Sequence, residues 1–173
     1  MILRTAAIYL TFIGLAQASL SAGAVKTAIF PFEMVIEQQM GSVGLPPVPN
    51  EAERARLKLV TDELTRLLKA TGKFEPLDLS SVNSDIEEKS PFNTCDGCEA
   101  EVAKKAGADL SVLGVVHEAT AVLLNVSIFV RNTDDGTLRN SMAVSIHEND
   151  DKGWLRAVRW LVKNRLSGQE PQK

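Results

Sequence analysis

Aromatic residues are scarce in this chain of 173 residues, which has 5% of them, including one Tyr and two Trp. Surfaces that stack nucleic-acid bases normally use several aromatic side chains. Positive charge is scarce as well, because the formal net charge is −3 and residues 1–24 contain a single charged side chain, Arg4. The remaining residues are therefore acidic and lack the positive potential that attracts nucleic acid. We expect no nucleic-acid partner.

Motifs of the common hydrolases and nucleotide-binding enzymes are also missing. The sequence contains no G-x-S-x-G, no H-E-x-x-H and no Walker-type loop. Only two His are present, so a Ser–His–acid triad has few ways to form. These absences predict a protein that is not an enzyme and needs no cofactor.

The first 24 residues have the pattern of an export signal. Arg4 provides a positive start, and the apolar run Ala6–Leu15 follows. This run has about ten residues, whereas a membrane span needs roughly 20. Two A-x-A-type cleavage sites end at Ala18 and Ala24. We expect residues 1–24 to be a cleaved signal peptide and the mature protein to be periplasmic, since no later segment is apolar enough to cross a bilayer.

Hydrophobic periodicity and turn signals predict eight elements in the order β-α-β-α-β-β-β-α. They are strands at 25–33, 74–79, 109–116, 121–131 and 137–147, and helices at 51–71, 95–106 and 150–166. Right-handed crossovers place the first strand between the second and the third. The predicted fold class is α/β (α+β), a single domain at 25–168 with a mixed five-stranded sheet packed by helices. A disordered tail is expected at 169–173.

The turn Thr133–Gly136 joins two strands of alternating polarity, which predicts a hairpin with one buried face. The buried side chains are expected to be Val122, Leu124, Val126, Ile128 and Val130, with Met142, Val144 and Ile146 on the partner strand.

The last helix separates an apolar arc from a basic face. At 100° per residue, Trp160 falls about 80° from the centre of the basic face and outside the apolar arc. An exposed Trp beside arginines is a typical interface anchor, and coverage by neighbouring loops is the alternative. The candidate residues for binding a periplasmic protein partner are Trp160, Arg156 and Arg159, together with Pro46 and Pro47 of the loop 37–50.

Cys95 and Cys98 are the only cysteines and form a CxxC pair. In an oxidising compartment this spacing favours a local disulfide that fixes the start of the second helix. Thiol–disulfide exchange is an alternative, because a CxxC at a helix start lowers a thiol pKa. Metal ligation is a further one, although two thiolates alone make a poor zinc site.

His117 and His147 each lie at the end of a predicted strand, and each is followed by Glu. If the two strand ends meet, His117, His147 and Glu148 could contribute to a metal site. Two strand-end histidines that contact solvent are the favoured explanation, because chance placement is enough to produce the pattern, and no metal is predicted.

Residues 95–166, which begin CDGCEAEVAKKAGADLSVLG, resemble an uncharacterised family of exported bacterial proteins, the domain of unknown function DUF3280. The segments KTAIFPFEM and RARLKLVTDELTRLLKATGKFEPLDL fit the same family. More distantly, the pattern is similar to the amino-terminal domain of TolB and to the curli-secretion lipoprotein domain. The resemblance implies a non-catalytic accessory role in envelope assembly or beside a periplasmic, quinoprotein-type oxidation system.

Overall fold

Strand β4 (Leu110–Thr120) lies at the centre of a mixed sheet in the computed structural model, which describes residues 23–37, 44 and 47–166. The sheet order is β3-β1-β4-β5-β6, and β2 also pairs with β4. The other strands are β1 (Val25–Ile29), β2 (Glu33–Ile36), β3 (Phe74–Pro76), β5 (Leu123–Asn132) and β6 (Leu138–Ile146). As predicted, β1 lies between β3 and β4, with parallel pairing on both sides.

The sheet has six strands and not the five expected, because the first predicted strand is divided at Pro31. Proline has no amide hydrogen to donate to a ladder. The next amide, that of Phe32, donates to the Thr61 hydroxyl at 2.8 Å and not to a strand. Both halves of the divided strand, β1 and β2, still pair with β4 in parallel.

The division inserts one extra residue opposite β4. Ile29 pairs with Val112, and Glu33 pairs with Val115, so four steps along one strand match three along the other. Side chains alternate between the two faces of a sheet, so one extra residue reverses their direction. As a result Glu33 and Val35 share a face with Leu113 and Val115, the face opposite that of Ile29.

Phe32 and Gly114 hold this irregularity in place. The Phe32 ring lies so close to Gly114 that a Cβ there would be 2.3 Å from ring carbons. Only glycine therefore allows the ring to lie against β4. Phe32 is 3% exposed and packs with Val60 and Leu64 in the larger core cluster.

The predicted hairpin is present, with β5 and β6 antiparallel and Ile128 opposite Met142. Leu124, Val126, Ile128 and Val130 are buried as expected. Val122 is an exception, because it belongs to the turn between β4 and β5 and is 66% exposed.

Two helices cover one face of the sheet. Helix α1 (Glu51–Ala70) begins with a capping box, in which Asn50 and Glu53 exchange hydrogen bonds. Helix α4 (Asp151–Leu161) begins at Asp150, whose side chain accepts from the Gly153 amide, and it continues as a π-helical turn, Val162–Leu166. Trp154 of α4 is fully buried in the same core cluster as the hairpin residues Ile128 and Met142.

The opposite face is covered only in part, by helices α2 (Asn83–Lys89) and α3 (Cys98–Lys105). Helix α2 was not predicted, because its single large apolar residue, Ile86, gives no periodicity. Helix α3 begins at Cys98, so Cys95 lies before it in extended backbone and not inside the predicted helix. The face of β5 and β6 beyond α3 stays open.

The described residues form a single domain, and the bounds 25–168 stay a prediction. The predicted signal peptide, apart from Gly23 and Ala24, and the predicted tail at 169–173 lie outside the described residues.

We predict that Gly114→Ala destabilises the fold by about 2–3 kcal/mol, because a methyl group would displace the Phe32 ring. Urea unfolding monitored by circular dichroism measures this. The double variant Phe32→Ala/Gly114→Ala should cost less than the sum of the two single variants. Additive costs would contradict the contact as the cause.

Candidate functional site

The side chains left uncovered by α3 line a cleft of about 620 Å³ between the sheet and the segment 92–97. We call it the sheet–loop cleft. Its floor consists of alternate residues of β4 and β5, in which Leu113 lies opposite Phe129 and Val115 opposite Ser127. Arg131 lies at one end and His117 at the other. The register of the sheet therefore gives an apolar floor with a charged or titratable group at each end.

Glu33 fixes the segment that forms the wall of the cleft. Its carboxylate accepts from the Phe92 amide at 2.6 Å, the Asn93 amide at 2.8 Å and the Asn93 side-chain amide at 2.7 Å. Phe92 is buried against Phe30, with ring centroids 5.0 Å apart. Glu33 has this role only because the extra residue before β2 directs it to this face.

Cys95 and Cys98 are joined as a disulfide in the same wall, with their Cα atoms 5.9 Å apart. Gly97, between them, adopts φ +90° at the start of α3, a conformation that other residues rarely take. The Arg131 side chain lies beneath Gly97, 3.5 Å from where a Cβ would be. A tight loop of this shape leaves little freedom for the cysteines to separate.

Arg131 connects the wall to the sheet. Its guanidinium pairs with Asp96 and lies 3.2 Å from the Glu99 carboxylate. Glu99 is 2% exposed, and this burial raises its pKa above the ordinary value. The negative charges of Asp96 and Glu33 raise it further, while Arg131 acts in the opposite direction. One end of the cleft therefore concentrates negative charge around a single cation.

His117 and His147 are not brought together. The Nε2 atom of His117 lies 3.1 Å from a Glu37 carboxylate oxygen, at the far end of the cleft. His147 is exposed just beyond β6, and Glu148 pairs with Arg156. Within residues 23–37, 44 and 47–166, no three His, Cys, Asp or Glu residues are grouped so that they could hold a metal.

Trp160 lies on the outer surface of α4 and is 42% exposed, so loops among residues 23–37, 44 and 47–166 do not cover it. The Arg165 guanidinium lies 5.7 Å from the centroid of its ring. Arg156 and Arg159 are exposed on the same helix. We call this surface, with Trp160, Arg156, Arg159 and Arg165, the α4 outer face.

Glu63 of α1 holds part of this face in position. It accepts two hydrogen bonds from Arg66 at 2.8 Å and one from Arg159 at 2.6 Å. The hydrogen bonds from Arg66, together with the one from Arg159, lower its pKa to about 2, although its burial acts the other way. The position of Arg159 is thus set by a carboxylate on the neighbouring helix.

The two loop candidates are placed differently. Pro47 is exposed at the point where the chain returns toward α1, and Pro46 lies outside the described residues. Neither Glu33 nor Arg131 was anticipated as part of a site, because their positions depend on strand register and not on local sequence.

Solved structures with similar architecture show the class of fold. The LpoB C-terminal domain from Salmonella enterica is 12% identical, with a TM-score of 0.51 over 76% of this chain and 89% of that one. Lipoprotein GNA1162 from Neisseria meningitidis is 13% identical, with a TM-score of 0.50 over 84% of this chain and 98% of that one. Both support one class, a single α+β domain with helices packed on a mixed sheet.

TolB from Acinetobacter baumannii aligns more weakly, at 14% identity and a TM-score of 0.42 over 82% of this chain and 28% of that one. The family itself is established by sequence: the chain belongs to DUF3280, described as protein of unknown function (DUF2380), whose model matches residues 25–166. The family resemblance of the sequence is thereby confirmed. No curated protein matches the chain significantly.

Across residues 23–37, 44 and 47–166, none of the helices combines the length and the hydropathy that a membrane crossing requires.

We predict that Glu33→Ala loosens the wall of the sheet–loop cleft, because three donors lose their acceptor. Amide hydrogen exchange at Phe92 and Asn93 should accelerate by about tenfold or more. Glu75→Ala, at an exposed position of β3, is the matched control. Unchanged exchange at both amides would show that Glu33 does not hold the segment.

We predict that Glu63 makes the free energy of unfolding depend on pH. Its pKa is about 2 in the folded protein against an ordinary 4.5, so its stabilisation is complete above about pH 4.5 and is lost as the pH falls toward 2. Glu63→Gln should cost about 1–2 kcal/mol at pH 7 and almost nothing near pH 2.

Urea unfolding at both pH values measures this difference. Asp62→Asn, which removes an exposed ion pair with Lys58, is the control and should cost under about 0.5 kcal/mol. An equal cost of Glu63→Gln at both pH values would contradict the assignment.

Proposed function

We propose that this protein is a non-catalytic binding module of the bacterial periplasm, exported by residues 1–24 and docked on a protein partner through the α4 outer face. The observation that carries the proposal is Trp160, which stays 42% exposed on a helix whose other large apolar residues are largely buried. A tryptophan normally contributes its large area to a core or to an interface.

The surroundings of Trp160 favour a protein interface. Tryptophan and arginine are the residues most enriched among those that dominate binding energies. Glu63 fixes Arg159, and Arg165 stacks on the Trp160 ring, so little side-chain freedom is lost on docking. The arginines favour an acidic surface on the partner.

The envelope setting is supported by the amino-terminal sequence and by the fold shared with a meningococcal lipoprotein. Within that setting we propose an accessory role in envelope assembly or in a quinoprotein-type oxidation system.

Thiol–disulfide exchange by Cys95 and Cys98 is the second candidate, favoured by the exposed position of Cys95 at the cleft. Measuring the reduction potential separates the two functions: a value well below the glutathione range marks a structural bridge, whereas a value within that range favours exchange.

We predict that Trp160→Ala weakens partner binding by about thirtyfold without loss of fold, because an interface tryptophan typically contributes 2 kcal/mol or more, about thirtyfold in affinity. The partner is first identified by photo-crosslinking in periplasm, with the reactive residue at the exposed position 164, which is adjacent to Trp160 and leaves Trp160 in place. Affinity for the purified partner is then measured by calorimetry.

Val122→Ala, at an exposed apolar residue in the β4–β5 turn, is the matched control and should bind normally. Failure to crosslink at position 164, or equal affinities of the Trp160→Ala variant and the unmodified protein, would overturn the docking surface.

A further inference from the structure

The sheet–loop cleft is a second feature that the α4 outer face does not explain. It opens on the sheet face opposite α1 and α4, and its volume of about 620 Å³ is within the range of about 300–1,000 Å³ typical of ligand sites. Leu113, Val115 and Phe129 give it an apolar floor. A floor of this kind suits the apolar body of a small molecule.

Carboxylates outnumber cations around this floor. Two acidic side chains line the cleft, Asp96 and Glu99. Glu33 and Glu37 do not line it but contact the lining residues Phe92 and His117. The basic groups at the cleft are Arg131 and, when protonated, His117. The lining therefore has two carboxylates and a single guanidinium.

The cations are also already engaged. Arg131 lies between Asp96 and Glu99, and it donates to the Gly136 carbonyl at 3.2 Å. His117 has a carboxylate partner, Glu37, at 3.1 Å. An anionic ligand would have to displace these carboxylates, whereas a cationic ligand would share them. Charge complementarity therefore selects a cation.

We propose that the sheet–loop cleft binds a small ligand that combines an apolar body with a protonated amine. The apolar body lies on Leu113, Val115 and Phe129. The ammonium group lies toward Asp96 and Glu99, where two carboxylates share one guanidinium. This site requires neither Trp160 nor a protein partner, so it stands or fails independently of the proposed docking surface.

Three probes that share a phenylethyl group and differ in the charge of the group attached to it test the proposal. They are 2-phenylethylamine, which is protonated at pH 7, neutral 2-phenylethanol and anionic 3-phenylpropanoate. Each is titrated into the mature domain and followed by methyl and aromatic NMR signals. The amine should bind about threefold tighter than the alcohol and about tenfold tighter than the carboxylate. Signals of Leu113, Val115 and Phe129 should shift, and those of Val158 and Leu161 in the opposite core should not.

Two variants locate the site and its selectivity. Ser127→Phe fills the floor and should abolish binding of all three probes. Ala143→Phe is its matched control, because Ala143 lies directly opposite Ser127 on β6, is exposed and does not line the cleft. Asp96→Asn removes an exposed carboxylate and leaves Arg131 less engaged. It should reduce the preference for the amine over the carboxylate by about threefold or more.

The proposal is overturned if the carboxylate binds as tightly as the amine, if no probe shifts the signals of the floor, or if Ser127→Phe binds as well as Ala143→Phe. Should Ser127→Phe fail to fold, the map of shifted signals and the Asp96→Asn variant decide the question. Loss of partner binding by Trp160→Ala leaves these results unchanged.

Discussion

The contact between the Phe32 ring and Gly114 is the constraint on which the rest of the sheet depends. It lies at the residue inserted between β1 and β2, and it places Phe32 in the core beneath α1. Because the insertion reverses the alternation of side chains, Glu33 and Val35 reach the other face. Without the inserted residue, Met34 and not Glu33 would point toward the segment 92–97. The amides of Phe92 and Asn93 would then have no carboxylate to donate to. Gly114 of β4 thus makes room for the insertion that sets on which face of the sheet each side chain of β2 lies.

The two faces of the sheet are stabilised differently, and this separates the two proposed surfaces. On one face, α1 and α4 bury a continuous apolar cluster, and Glu63 joins the helices at the surface. On the other, the shorter α2 and α3 and the disulfide-closed loop bury a smaller cluster whose strand residues come mainly from β1 and β4. The α4 outer face and the sheet–loop cleft therefore lie on opposite sides of the domain. A ligand in the cleft and a partner on α4 would not compete for space.

Much of the fold could be predicted from local patterns. Asn50 and Glu53 marked the start of α1, the turn Thr133–Gly136 marked the hairpin, and the amphipathic pattern marked α4. Helix α2 could not be predicted, since Ile86 alone gives no periodicity.

The cleft was equally hidden from the sequence. The environments of Glu33 and Arg131 are created by strand register and by a loop that crosses from elsewhere in the chain. Trp160 was recognisable from helical geometry alone, whereas its exposure depended on what packs around the helix.

The central position of β4 has a further consequence during synthesis. Ile29 and its partner Val112 are about 80 residues apart in the chain, while β4, β5 and β6 are joined by short turns. Local pairings close smaller loops and form faster than distant ones. Strand β1 can pair with β3 earlier, but β1 and β2 cannot contact β4 until more than half of the chain has emerged. Joining these amino-terminal strands to β4 is therefore a late step in completing the sheet.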